Sequence, residues 1–191
     1  MYPYIKFFQP EEIGYTERMR KALTDEAQIE SQYDNYVSPE GHMIELEFSV
    51  LFDLDRGIKM KDIPILQTMF DLIQPNITIT ASGFIRFLPG RHTVPHVDDS
   101  LARTTALTFP LTPEPKWFAP TIGFKPNSMK PETVMYWDGR PGLLNTRERH
   151  AVYNNKYPRH TFQICFREPL DDVLELHKHG KLFTSQLTGD K

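Results

Sequence analysis

Residues 76–90 read NITITASGFIRFLPG, and this stretch decides the expected fold. Its aliphatic and aromatic side chains fall mainly on odd positions: Ile77, Ile79, Ala81, Ile85 and Phe87. A period of two is typical of a β-strand with one buried face. The sequence therefore predicts a long, half-buried strand that ends in a turn at Pro89 and Gly90.

Further short strands are predicted on the C-terminal side of this stretch, each bounded by Pro, Gly or Asn. They cover residues 104–111, 132–138, 148–153 and 160–166. No helical pattern separates them, which favours an antiparallel sandwich or barrel.

Apolar residues at helical spacing predict helices on both sides of this β core. The predicted helices cover residues 10–32, 61–74 with Asp62 as N-cap, and 170–182. A length of 191 residues suits one domain. We expect a helical N-terminal support over 1–75, a mainly β core over 76–168, and a C-terminal helix and tail over 169–191.

Composition excludes several classes of protein. The net charge is −3 with no basic run, so a nucleic-acid partner is not expected. No apolar stretch is long enough to span a membrane, and the first ten residues lack the pattern of a signal peptide. The single cysteine, Cys165, cannot form an intrachain disulfide and is expected to be a buried, inert thiol. These features favour a cytoplasmic protein.

Residues 112–132 contain five prolines and cannot form an inner strand throughout. A surface loop with an edge strand around residues 117–124 is the simpler interpretation. The alternative is a lid over a functional site, which would use Trp117 and Phe118.

Three side chains suit a metal ion. His96 and Asp98 are two residues apart on extended backbone, so both side chains point to the same side. His150 follows 52 residues after Asp98, with two or three predicted strands between them. Two histidines and a carboxylate are the ligand set of non-haem Fe(II) oxygenases, whereas structural zinc sites usually have four ligands, often including thiolates. Iron is therefore the predicted metal.

Arg159 follows nine residues after His150 and begins a strand whose odd face also carries Thr161 and Gln163. A guanidinium inside a small barrel matches a carboxylate in a bidentate manner, and the Thr161 hydroxyl can add a hydrogen bond. A dicarboxylate co-substrate would fit this pair. The alternative is a surface arginine paired with an acid such as Glu168.

These residues together resemble the Fe(II)/2-oxoglutarate-dependent oxygenases, particularly their prolyl-hydroxylase-like branch in its compact bacterial and viral form. The sequences FLPG at 87–90 and PHVD at 95–98 are similar to that branch's aromatic-x-x-Gly and His-x-Asp. Strand 104–111, residues 134–138 and the ending at 150–166 follow in the family's order. The resemblance covers about residues 77–168 and implies a double-stranded β-helix, which is a small, cupin-like jelly roll.

The resemblance also implies roles for individual residues. It makes His96, Asp98 and His150 the iron ligands and Arg159, with Thr161, the anchor for the distal carboxylate of 2-oxoglutarate. Many relatives have a tyrosine where Phe87 stands, so Tyr136 or Thr93 is expected to replace its hydroxyl.

The implied reaction uses O2 and decarboxylates 2-oxoglutarate to hydroxylate an unactivated C–H bond. A protein or peptide side chain such as proline is the expected substrate. A free small molecule and a non-catalytic metal-binding jelly-roll module are the alternatives. Arg103 and Arg86 are candidate substrate contacts or ordinary surface charges, and His160 is expected to face away from the metal. The residues leave the exact substrate and the oligomeric state open.

Overall fold

Ten strands form two antiparallel sheets. The computed structural model describes residues 5–37, 43–98, 103–111, 120–125, 127–136, 139–153 and 158–184. The strands are β1 (Ile5–Phe7), β2 (Asp34–Val37), β3 (Met43–Asp53), β4 (Ile79–Phe87), β5 (Thr105–Pro110), β6 (Pro120–Phe124), β7 (Pro131–Tyr136), β8 (Gly142–Asn145), β9 (His150–Val152) and β10 (Arg159–Phe166). The large sheet has the order β1-β8-β5-β10-β4-β3-β2, and the small sheet has the order β7-β6-β9. The prediction of a mainly β, antiparallel chain is confirmed.

The N-terminal quarter contributes more than the expected helical support. Strands β1, β2 and β3 belong to the same large sheet as the predicted core strands. Residues 44–52 read IELEFSVLF, with apolar residues at every even position, which is a clear strand signal. The large sheet therefore starts well before residue 76.

Three helices lie at the expected places with shorter bounds. They are α1 (Glu17–Ile29), α2 (Pro64–Asp71) and α3 (Leu170–Lys178), and a short 3-10 helix at Pro10–Ile13 precedes α1. Thr16 caps α1, since its Oγ1 accepts a hydrogen bond from the Met19 amide at 3.2 Å. The predicted cap at Asp62 is wrong: Ile63 is the N-cap, and Pro64 opens the helix with its fixed φ.

Strand β4 is an inner strand of the large sheet. On its even face Phe84 is fully buried with Phe162 and Phe109, in the core formed with the helices. Its odd face lines a cavity between the two sheets. The expected half-buried strand thus has one face in the core and the other along a cavity that the small sheet also lines.

The segment from Pro120 to Phe124 forms β6, the central strand of the small sheet. The expectation of an edge strand there is wrong, since Pro120 is only its first residue and the following residues can pair on both sides. The proposed lid, with Trp117 and Phe118, lies outside the described residues. None of the helices in the described part of the chain is long and apolar enough to cross a membrane.

Candidate active site

The space between the two sheets is a cavity of about 390 Å³. Its large-sheet wall is formed by the inward faces of β3, β4 and β10, and its opposite wall by β9 and residues 92–98. Four residues of β10 line it at alternating positions: Arg159, Thr161, Gln163 and Cys165. A concave, largely apolar space with a few convergent polar groups is typical of a ligand site.

His96 and His150 face each other through their own backbones. The His96 amide donates to the His150 carbonyl at 2.9 Å, and the His150 amide donates to the His96 carbonyl at 2.8 Å. This bridge adds the segment 92–98 to the small sheet beside β9 and brings the two ring centroids to 4.5 Å. Pairing of the main chain therefore joins two histidines that are 54 positions apart.

Both imidazoles are held in the same tautomer. Nδ1 of His96 lies 2.8 Å from the Val94 carbonyl oxygen, and Nδ1 of His150 lies 2.9 Å from that of Glu148. A carbonyl oxygen only accepts, so each Nδ1 carries a proton, and in the neutral ring the lone pair lies on Nε2. Metal-binding histidines are commonly oriented in this way.

Asp98 completes the cluster. Its amide donates to the Thr146 carbonyl at 2.9 Å, which fixes the chain, and its Oδ1 lies 3.5 Å from Nε2 of His96. The three potential donor atoms of His96, Asp98 and His150 all lie within 4.8 Å of one another. This is the only group in the described residues that could hold a metal with three His, Cys, Asp or Glu side chains.

The electrostatics of the cluster favour the metal-binding protonation states. Burial and the neighbouring His96 lower the pKa of His150, so its imidazole is neutral. Burial alone would raise the pKa of Asp98, but the two neighbouring imidazoles and the positive charge of Arg103 hold it below its ordinary value. A neutral nitrogen donor and an ionised carboxylate suit a divalent ion such as Fe(II).

Arg159 and Thr161 lie on the same wall of the cavity, as the strand period predicts. Arg159 is 9% exposed, and its guanidinium carbon lies 5.4 Å from the centroid of the Phe87 ring. Burial lowers the pKa of Arg159 to about 10. Its buried charge is suited to an anionic ligand. The alternative pairing with Glu168 is not found, since Oε1 of that residue accepts from the Thr78 amide.

The other predicted residues divide into those inside and outside the cavity. Thr93 lines it, and its Oγ1 accepts a hydrogen bond from the Val152 amide at 2.8 Å, which leaves its hydroxyl proton to donate. Tyr136 ends β7, and its side chain lies outside the described part. His160 does not line the cavity and Arg103 does. Arg86 pairs with Glu47 instead.

Sequence reasoning missed the third strand of the cavity wall. Leu46, Phe48 and Val50 of β3 line the cavity beside β4, and Asp53 lies at the end of the same strand. The alternation over residues 44–52 was the signal that could have found them.

The two facing sheets, with a His-Asp-His cluster between them, define a double-stranded β-helix, the fold of the 2-oxoglutarate–Fe(II) oxygenases. Among solved structures, an oxidoreductase of the 2OG-Fe(II) oxygenase family from Burkholderia pseudomallei is similar, with a TM-score of 0.57 and 14% identity over 78% of this chain and 79% of that chain. A prolyl-4-hydroxylase from Pseudomonas putida is similar with a TM-score of 0.51 and 14% identity over 86% of this chain and 91% of that chain. The viral collagen prolyl hydroxylase of Paramecium Bursaria Chlorella virus-1 has a TM-score of 0.50 and 14% identity over 86% of this chain and 96% of that chain.

The predicted jelly roll, and the resemblance to this superfamily at the level of the fold, are therefore confirmed. No protein-family profile matches the sequence. No curated protein matches it either.

Proposed function

We propose that this protein is an Fe(II)- and 2-oxoglutarate-dependent dioxygenase that hydroxylates an unactivated C–H bond. The observation that carries the proposal is the convergence of His96, Asp98 and His150 in one cavity, with Arg159 buried in the same cavity's wall. A module that only stores a metal has no use for this guanidinium.

The residues fit the proposed ligands. His96 and His150 would supply two neutral nitrogens and Asp98 one oxygen, which leaves part of the ion's coordination shell open for other ligands. The bound ion and 2-oxoglutarate would supply the oxidising chemistry through O2. Arg159 would bind the distal carboxylate of 2-oxoglutarate in a bidentate manner, and the Thr161 hydroxyl would donate a second contact.

The surrounding chain fixes these groups in place. The Val94 and Glu148 carbonyls hold the two rings, and the Thr146 carbonyl holds the backbone of Asp98. In place of the tyrosine of many relatives, Phe87 covers Arg159 with an apolar ring. We assign the missing hydroxyl donor to Thr93, which faces the same cavity.

A protein or peptide side chain such as proline is the first candidate for the substrate. Two of the similar folds belong to proteins named as prolyl hydroxylases, which supports this choice. A free small molecule is the second candidate. The charged residues Asp53 and Arg103 in the cavity wall favour it, because a pocket for a prolyl ring in a peptide needs no such pair.

Turnover of 2-oxoglutarate tests the proposal. Purified protein with Fe(II), ascorbate and 2-oxoglutarate should form succinate, and either a proline-containing peptide or free proline should increase the rate. His150→Ala should abolish succinate formation, because a ligand is lost.

His160→Ala is the matched control. His160 lies on β10 outside the cavity, so its removal should leave turnover unchanged. Succinate formation that survives in His150→Ala, or that is absent from the wild-type protein, would contradict the proposal.

A further inference from the structure

The cavity wall holds a second guanidinium, that of Arg103. This side chain is 27% exposed, and its Nη2 donates a hydrogen bond to Oδ2 of buried Asp53 at 3.0 Å. Both residues line the cavity. The proposed function uses this pair only to favour a small-molecule substrate and assigns neither residue a contact.

Arg103 and Arg159 lie at different ends of the cavity. Along β4, Arg159 pairs with Phe87, whereas Asp53, the partner of Arg103, pairs with Ala81. Six residues of β-strand span about 20 Å at about 3.3 Å per residue. A five-carbon dicarboxylate is much shorter than this backbone span, so a molecule of 2-oxoglutarate bound at Arg159 should leave Arg103 for another group.

His96, Asp98 and His150 line the same cavity. After the turn at Pro89 and Gly90 the chain runs back along the small sheet, from Thr93 to Asp98. The Thr146 carbonyl accepts from the Asp98 amide, and the Thr146 hydroxyl donates to the Arg103 carbonyl at 2.5 Å. A group held by Arg103 would therefore approach the cluster from the side of Asp98.

A comparison with Arg86 indicates that several N–H donors of Arg103 have no acceptor among the described residues. Arg86 donates from both Nε and Nη2 to Glu47 and lies 4.1 Å above the Tyr33 ring, outside the cavity. Among the described residues, the Arg103 guanidinium donates only to Asp53. An arginine has five N–H donors in a planar fork. Most of this fork is available to a ligand in the cavity.

The charges at this end favour an anion. Both carboxylate oxygens of Asp53 already accept hydrogen bonds, Oδ2 from Arg103 and Oδ1 from the Arg56 amide at 3.0 Å. Asp55 pairs with Arg167 at 2.9 Å, and Arg56 adds a positive side chain to the cavity lining. When Arg167 is counted with its partner Asp55, and the proposed metal ligand Asp98 is left aside, three arginines face two aspartates at this end.

We propose that Arg103, positioned by Asp53, binds a carboxylate of the primary substrate at the end of the cavity opposite Arg159. The proposal rests on the proposed function and specifies its substrate class. The carboxylate would be that of a free amino acid or the C-terminus of a peptide, and an internal peptide residue would not provide it.

Calorimetry without O2 tests this, because Mn²⁺ and 2-oxoglutarate then load the site without turnover. The loaded protein is titrated with each of the twenty free amino acids, with Gly-Gly-X peptides, and with the amide of each. At least one free carboxylate should bind, and its amide should bind at least tenfold more weakly. Binding by the amino acid or by the peptide identifies the source of the carboxylate.

Arg103→Gln should weaken binding of that carboxylate at least tenfold and remove the preference over its amide. Arg86→Gln is the matched control, because it removes an equally exposed, ion-paired arginine outside the cavity, and it should change neither value. If Arg103→Gln does not bind Mn²⁺ and 2-oxoglutarate, Arg103→Lys is used in its place. This variant should also bind the carboxylate more weakly, because lysine lacks the planar guanidinium fork.

Two sets of results separate the proposals. Failure of the wild-type protein to bind Mn²⁺ and 2-oxoglutarate would contradict the proposed function. Normal loading without binding of any free carboxylate, or with equal binding of acid and amide, would overturn the role of Arg103 alone.

Discussion

Replacing Arg159 by methionine should stabilise the protein in the absence of ligands and destroy its co-substrate site. Burial lowers the pKa of Arg159 from its ordinary value of 12.5 to about 10. At about 1.4 kcal/mol for each pKa unit, the folded state disfavours this charge by about 3 kcal/mol. Methionine has a similar length and no charge. Loss of the cation–π contact with the Phe87 ring should destabilise the variant by about 1 kcal/mol. We expect the free energy of unfolding to rise by at most about 2 kcal/mol, because any other contact of the guanidinium is lost as well.

Co-substrate binding should change in the opposite direction. Loss of one partner from a buried charge pair costs about 2–5 kcal/mol, which is at least about a 30-fold loss of affinity for 2-oxoglutarate. Affinity for Mn²⁺ alone should stay the same, because Arg159 is not a ligand. The direction of the stability change follows from the pKa of Arg159. A base whose pKa is lower in the folded state than in the unfolded state destabilises the fold at every pH below the folded value, which includes neutral pH.

Urea unfolding with EDTA, and again with Mn²⁺ and excess 2-oxoglutarate, measures both effects. Without ligands the variant should have the higher midpoint. With 2-oxoglutarate at about 100 times its Kd, only the wild-type protein should gain about 2.7 kcal/mol. Arg86→Met is the control and should keep the wild-type response to 2-oxoglutarate. A variant that is less stable without ligands, or that responds to 2-oxoglutarate as the wild-type protein does, would refute the reasoning.

Three further predictions concern other residues of the cavity wall. Gly83→Ala should lower the free energy of unfolding by about 1–3 kcal/mol in urea, because a Cβ there would overlap the backbone carbonyl of Ser49; an unchanged midpoint would argue against this close approach. Burial raises the pKa of Cys165 to about 12, so its thiol should not react with a disulfide reagent at pH 8 until the chain is unfolded, and rapid reaction of the native protein would count against the described burial. Thr161→Val should weaken 2-oxoglutarate binding by about 1.5–3 kcal/mol in calorimetry, through loss of one hydrogen bond to a charged group, whereas equal affinity would remove Thr161 from the site.

The metal cluster could be predicted from the sequence because its signals are local and ordered. His96 and Asp98 share one face of extended backbone, and His150 and Arg159 follow with the strand spacing that the resemblance requires. The structure brings the three candidate ligands together as expected. Their role as metal ligands stays a prediction until binding is measured.

Other parts of the fold depend on contacts that no local pattern contains. Strand β8 has only four residues and is held by pairing with β5 and β1. The ion pair of Asp53 and Arg103 joins residues 50 positions apart, one at the end of β3 and the other just before β5. By contrast, β3 has a strong alternating pattern of its own, and a strand could have been predicted there.

Metal binding by the wild-type protein and two variants tests the central claim most directly. Calorimetry with Fe(II) under anaerobic conditions, or with Mn²⁺, should give one ion per chain. His96→Ala and Asp98→Asn should each weaken binding by at least about 100-fold while the circular dichroism spectrum stays unchanged, since each variant removes a ligand from a cavity that the two sheets maintain. Undiminished one-to-one binding in both variants would contradict the account.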